Sequence, residues 1–404
     1  MHPAVMMTHD SKISPDVLGG VALLTAAVAA MLFVNLGGAE AYKHGLEYTV
    51  TVGFAPFALQ KTIHHWINDG LMVLFFVLVG IEIHREKRTG SLRTPRQALL
   101  PVVAAIGGFV TPAVLYVLIA GGDPVLVKGW SVPTATDIAF AVALVTVLKD
   151  RVPASLRVFL LALAVADDLL AILVIAIFYT ADVIWMNLFL VAVAALLLVA
   201  KKRLGIQKLW VYVIVGLFMW LCVLKSGVHA TVAGVIIGLL LPLTGEKDKE
   251  APADTVEHLL QPGVRWLVLP LFAFANVGVD VRGLTLESLL SLLTWGIALG
   301  LFFGKQIGVF GTVKLLQKVG IPRPAGATWL QVYGIACMCG IGFTMSLFIA
   351  ALALPAEMQP QVRLGVILGS VLSAALAVIV LTWGRQGSDR HQQSTSKLSS
   401  SRRH

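Results

Sequence analysis

Apolar runs of about 17 to 25 residues recur along this chain, and each is long enough to cross a hydrocarbon core as a helix. In lipid the backbone polar groups have no water to bond, so a helix that satisfies them internally is the form such runs take. The runs fall at 16–36, 66–84, 98–120, 125–147, 155–179, 183–200, 210–225, 229–242, 264–280, 291–313, 327–353 and 362–384. Composition agrees. Of 404 residues only 13% are charged and 57% are hydrophobic, whereas a soluble protein carries about a quarter charged residues. The chain reads as an all-α polytopic membrane protein of twelve transmembrane helices. Residues 1–15 precede the first run, 16–384 form one twelve-helix membrane domain and 385–404 a tail. The tail, rich in Ser, Arg, Gln and His from 387 onward, is expected to be disordered. The first run has too long an apolar core for a signal peptide and lacks a strongly basic leader, so it is expected to stay as a helix.

Charge in the loops orients the helices. Alternate loops hold Arg85, Lys87, Arg88, Arg93 and Arg96, then Lys149, Arg151 and Arg157, then Lys201, Lys202, Arg203 and Lys208. The pattern continues with Lys247, Lys249 and Arg265, with Lys314, Lys318 and Arg323, and with the basic tail. The intervening loops carry little beyond Lys43, Lys61, Lys128, Lys225, Arg282 and Arg363. Positive charge marks the cytoplasmic side, so both termini are expected there. The net charge of +9 then needs no nucleic acid to explain it. Cys222, Cys337 and Cys339 all lie in apolar runs and read as small packing residues, with neither a disulfide nor a metal implied.

Motifs for ATP use or hydrolysis are missing. "FFGKQ" at 302–306 lacks the upstream glycine and the Ser or Thr of a phosphate loop, and "GVD" at 278–280 lacks the pattern of an intramembrane aspartyl protease. What remains is a sparse set of ionisable groups at membrane depth: Asp137, Asp167, Asp168 and Lys305, with Asp69, Glu82 and His229 nearer helix ends. Such groups are expensive in lipid and line ion or proton pathways. Two acids against one lysine make poor structural glue. Neighbours on a helix point about 100° apart, so one aspartate can pair with Lys305 while the other faces an aqueous cavity. Two adjacent carboxylates cannot both ionise cheaply in a dry site, so such a pair can hold a proton and exchange it for a cation. Carboxylate oxygen suits a hard ion such as Na+ or Li+. Asp69 stands near an expected helix start, where it would stabilise the helix N-terminus.

Two helices carry breaks. "SVPTATDIAF" places Pro133 mid-span in the fourth, and "CGIGFTMS" places Gly340, Gly342, Thr344 and Ser346 mid-span in the eleventh. Freed backbone at this depth persists only against protein or a water-filled cavity. The pair predicts crossing half-helices whose ends carry partial charges, with Asp137 available to neutralise N-termini and Lys305 C-termini.

"TATDIAFA", "LALAVADDLLAI", "SGVHATVAG", "LPLFAFANVGV", "GKQIG" and "GIGFTMSLFIA" together resemble the NhaA family of bacterial Na+/H+ antiporters, over residues 16 to 384. The resemblance implies helices 3–5 repeated upside down as 10–12, with helices 4 and 11 unwound and crossing. It places the ion-binding, proton-carrying pair on Asp167 and Asp168, with Asp168 the principal sodium ligand. Lys305 falls on the family's lysine, paired with Asp167, and Thr136 and Asp137 on its unwound Thr-Asp. Glu82, Glu257 and His258 match a cytoplasmic cluster that sets pH response, and His229 a histidine that tunes the pH profile. Na+, H+ and Li+ are the implied cargo, with no cofactor, no enzymatic activity and an inner-membrane location. The alternating "EYTVTVG" at 47–53 matches a periplasmic hairpin through which family members form homodimers. Two positions depart: Leu170 replaces a glycine after the aspartates, and Gln261 stands where some members carry another histidine of the cluster. A proton-coupled symporter of organic solutes would want a larger polar cavity than these helices offer. A continuous channel fits poorly with adjacent acids beside a lysine.

Overall fold

A computed structural model describes residues 14–53, 58–180, 183–245, 250–283 and 285–400, with side chains through Trp383. Among the described residues nine helices are long and apolar enough to cross a membrane: α1 Pro15–Glu47, α2 Ile63–Arg88, α3 Pro95–Ala120, α4 Leu126–Val147, α5 Ala154–Phe178, α6 Trp185–Arg203, α9 Pro252–Gly283, α10 Leu286–Lys318 and α12 Ala356–Trp383. Two shorter apolar helices, α7 Leu209–Leu224 and α8 Thr231–Leu240, and one pair bent by 42°, α11 (Trp329–Met338 and Phe343–Ala353), complete the set. Each matches one of the apolar runs. Beyond Trp383 the backbone stays helical, within Gln359–Ser400, into the stretch expected to be a tail.

The bundle turns apolar side chains outward as well as inward. Val28 on α1, Val114 and Leu118 on α3, Leu196 on α6 and Phe218 on α7 are exposed. In water such a surface would be an aggregation liability, while hydrocarbon is its proper solvent. Burial between helices therefore gains little from the hydrophobic effect, and close backbone packing takes over. α3 and α10 show how. A Cβ at Gly304 would lie 2.6 Å from the Pro112 Cα, and one at Gly300 would lie 2.7 Å from the Pro133 Cβ. One turn on, a Cβ at Gly308 would strike the Gly107 carbonyl oxygen. Glycines four residues apart thus form a groove that lets α10 lie directly on α3 and α4. Gly80 on α2 and Gly238 on α8 make a second such contact, where a Cβ on Gly80 would lie 3.0 Å from the Gly238 Cα.

Both broken helices break where Pro and Gly interrupt them. The first half of α4, Leu126–Thr134, is a 3-10 helix containing Pro133. Ala135 and Asp137 are then extended, and the second half is Ile138–Val147. In α11 the break covers Cys339–Gly342. The two unwound stretches cross and bond to one another, Asp137 N–H donating to the Ile341 carbonyl at 2.7 Å and the Thr136 hydroxyl to the Cys339 carbonyl at 2.8 Å. Each break satisfies backbone groups that the other frees.

Wide π-helical turns occur in α9 at Val264–Val268 and in α10 at Gly300–Gly304, the latter immediately before Lys305. Such turns are frequent at functional sites. Between α1 and α2, strands β1 Thr49–Val52 and β2 Leu59–Thr62 pair antiparallel from Thr49↔Thr62 to Val52↔Leu59. The connecting residues 54–57 lie outside the described set.

Candidate functional site

Asp167 and Asp168 sit midway along α5, packed against the crossing, and are 1% and 2% exposed. The Lys305 ammonium, fully buried on α10, donates to Asp167 Oδ2 at 2.6 Å. Its stem runs past Gly108 of α3, where a Cβ would lie 3.9 Å from the lysine Cδ. Thr136 also lies against Asp167. Asp168 takes part in none of the ion pairs found among the described residues, and one oxygen of each aspartate, Oδ1, is buried without a hydrogen-bond partner. An oxygen so placed is a ready acceptor for a proton or a hard cation. The second aspartate was expected to face an aqueous cavity. In this conformation both are instead almost fully buried.

Asp137 has a different task. Its Oδ1 accepts from Phe140 N–H at 3.0 Å, capping the second half of α4. Its Oδ2 accepts from Thr344 N–H at 3.0 Å and from the Thr344 hydroxyl at 2.5 Å, at the start of the second half of α11. One carboxylate therefore serves two facing helix N-termini, where unpaired N–H groups and partial positive charge meet. Ser370 of α12 assists by accepting from Gly342 and Phe343 N–H at 3.2 and 3.1 Å. The sequence offered little warning of Ser370, since a serine in an apolar helix usually bonds its own backbone.

Two cavities approach this centre from opposite ends of α2. The first, about 350 Å³, is lined by Phe75, Val79, Ile138, Val142 and Leu161 toward its floor, with Glu82 above them and Asp16, Arg85, Glu86, Glu257 and Arg265 toward the mouth. Glu82 and Asp137 are close enough to act electrostatically on Asp168. Glu257 reaches the Arg85 guanidinium at 2.5 Å, and Asp254 holds the same group at 2.7 Å. His258 is not part of this wall. Its side chain is 74% exposed and faces Glu250 at 3.1 Å, because the next residue on a helix points about 100° away from Glu257. Gln261 does line the cavity.

The second cavity, about 280 Å³, is lined by His64, His65, Asn68, Asp69, Tyr179 and His229 with Ala351 and Leu352 of α11. His229 Nδ1 lies 3.5 Å from Asp69 Oδ1, and its ring meets Phe348 of α11 edge-on at 5.7 Å. Asp69 is thus not a helix-start residue. The helix begins at Ile63, with the Thr62 hydroxyl accepting from His65 N–H at 3.2 Å, and Asp69 lies well inside. Behind it Asn68, Asn276 of α9 and His64 form a partly buried polar cluster, with Asn276 donating to Asn68 at 2.9 Å. Nothing in the sequence linked these three.

Residues 11–381 match the protein family described as Na+/H+ antiporter 1. The chain is 48% identical over 382 residues to the Na(+)/H(+) antiporter NhaA of Rhodospirillum rubrum, covering 92% of this chain and 96% of that protein. It is 48% identical over 373 residues to Na(+)/H(+) antiporter NhaA 2 of Magnetococcus marinus, with coverage of 90% and 94%. It is 46% identical over 377 residues to the Na(+)/H(+) antiporter NhaA of an Escherichia coli strain, with coverage of 92% and 96%.

Proposed function

The chain belongs to the Na+/H+ antiporter family, whose members are transporters and not enzymes, and we propose that it extrudes Na+, and Li+ with it, in electrogenic exchange for protons at Asp167 and Asp168. The observation that carries this is the pair of adjacent buried carboxylates of which only one has a lysine partner, set where two broken helices cross. With Lys305 bound to Asp167, the Asp168 carboxyl either keeps a proton or surrenders it to a cation. A second proton then comes from the Asp167–Lys305 pair when that pair opens, so two protons move against one monovalent ion and charge crosses the membrane.

The placement of the two cavities supports alternating access. Each stops short of the aspartates, one from the end bearing Glu82 and one from the end bearing His229. Small rotations of α4 and α11 about their crossing would open one path as the other shuts, since unwound segments bend where helices do not. Counting α7, α8 and the bent α11 as spans gives twelve, with α3–α5 and α10–α12 as inverted repeats centred on the two breaks. We place both termini on the cytoplasmic side, where the basic loops gather. Reporter fusions at the tail and in the 121–125 loop should then report opposite sides, and the same side for both would refute that topology. Glu82 and Glu257 line the cytoplasmic approach and are the residues through which pH response acts, with His258 only at its exposed margin. His229 with Asp69 flanks the other approach. The β1–β2 hairpin offers a strand edge through which a second copy can pair.

The test is sodium-driven proton flux in proteoliposomes made with purified protein. Adding Na+ to the side bearing the basic loops should collapse a preformed pH gradient, faster under a membrane potential of the favourable sign. Asp168→Asn should reduce the flux to the protein-free level, because an amide neither carries a proton nor offers a charged ligand. Sustained exchange by this variant would remove Asp168 from the mechanism.

A further inference from the structure

The mouth of the Glu82 cavity is crossed by an ion pair that the exchange chemistry does not require. Arg265 of α9 donates to Asp16 of α1 at 2.7 Å, and both residues line the cavity. The side chains are 21% and 45% exposed, so the pair stands at the water boundary and not in the core. Its geometry is built. Arg265 lies in the wide turn Val264–Val268, and its stem lies flat on Gly19, where a Cβ would sit 2.6 Å from the arginine Cγ. Any larger residue at position 19 would lift the guanidinium away from Asp16. On its next residue α1 packs against the second half of α4, a Cβ at Gly20 lying 2.7 Å from the Ala143 Cβ.

The other charges of this wall are Glu82, Glu86, Glu257 and Arg85. Arg85 is already held by Asp254 and Glu257, and Glu86 accepts from Ser91 N–H at 2.7 Å. Arg265 is therefore the cation that lowers an otherwise acidic mouth, and Asp16 the acid that holds it in place. We infer that the Asp16–Arg265 pair sets the protein's apparent sodium affinity by fixing the electrostatic potential at the mouth of the cation path. The inference rests on the proposal that this cavity leads Na+ to Asp168. Arg265 repels an incoming cation and Asp16 attracts it, so the intact pair is nearly neutral and each half has an opposite effect when exposed alone. A unit charge roughly 8 Å from the path in a water-filled mouth changes the local cation concentration about twofold at low ionic strength. Salt abolishes such an effect, because at about 0.3 M the screening length falls below that distance.

The experiment measures the sodium KM and Vmax of exchange in proteoliposomes at about 10 mM and about 0.3 M ionic strength, the added salt being one the protein does not transport. Arg265→Ala should lower the KM about twofold at low ionic strength and Asp16→Asn should raise it about as much, with Vmax unchanged in both. The double variant should return to the wild-type KM, as should Arg265→Lys, which keeps the charge. All shifts should shrink toward nothing at high ionic strength. The inference is overturned if both single variants move KM in the same direction, if the shifts survive in high salt, or if Vmax falls while KM stays put, which would make the pair a structural clasp. If wild-type protein shows no sodium-driven flux at all, the antiport reading falls and this inference with it.

Discussion

Replacing Lys305 with alanine tests the centre of the site most directly. The Lys305 and Asp167 side chains are both 0% exposed and meet at 2.6 Å. Removing the lysine leaves a carboxylate that water cannot reach. Breaking a buried pair from one side costs about 3–5 kcal/mol. With an unfolding entropy of about 2.1 cal/mol/K per residue, roughly 0.8 kcal/mol/K for a helical domain of about 370 residues, that is a fall of about 4–6 °C in Tm. Lys305→Met keeps most of the volume and should lose nearly as much, which separates the charge from the cavity left by truncation. Adding Asp167→Asn to Lys305→Met removes the stranded charge, and most of the loss should return. The assay is thermal unfolding of the detergent-solubilised protein, followed by intrinsic tryptophan fluorescence, alongside flux in proteoliposomes. If Lys305→Met melts within a degree of wild type, or if the double variant melts no higher than the single, the lysine does not hold a buried carboxylate and the reasoning fails.

Three further outcomes follow from the same geometry. On the proposal that two protons give way to one Na+ at the same carboxylates, the sodium KM should fall as pH rises, by up to about a hundredfold per unit until the acids are fully ionised, and a KM flat across pH 6 to 9 would break the competition. Asp137→Ala strands three donors at two helix N-termini and should lower stability by about 2–4 kcal/mol, while Asp137→Asn keeps an acceptor and should lose less; equal melting of the two would show that capping is not the role of Asp137. Gly304→Ala puts a Cβ 2.6 Å from the Pro112 backbone and should lower stability by about 1–3 kcal/mol through strain between α10 and α3, whereas Gly311→Ala, in open space on α10, should be neutral or slightly stabilising in the same melting assay.

What could be read from the sequence is what depends on solvent and backbone alone. A run of apolar residues has to be a helix wherever it lies in the bundle, so the spans stood out. Pro133, Gly340 and Gly342 break helices by their own covalent structure. Two aspartates inside "LALAVADDLLAI" are costly in any packing, and with one lysine at similar depth the choice of partner was nearly forced. The contacts that escaped join residues far apart whose types are ordinary where they stand. Asp16 and Arg265 look like topogenic charges at helix ends, and only the fold lays one across the other. Asn68, Asn276 and His64 each look like interfacial polar residues. Asp69 misled because the helix start lies several residues upstream, hidden in the polar "KTIHH", where a threonine cap sets it. Glu257 and His258 part company in the fold. They are consecutive in the sequence, yet one meets Arg85 beside the cavity and the other faces Glu250 in the open. The same 100° step separates Asp167 from Asp168. There it matters most, because it lets one carboxylate keep its lysine while its neighbour stays free of any ion pair among the described residues, as the proposed exchange of a proton for a cation requires.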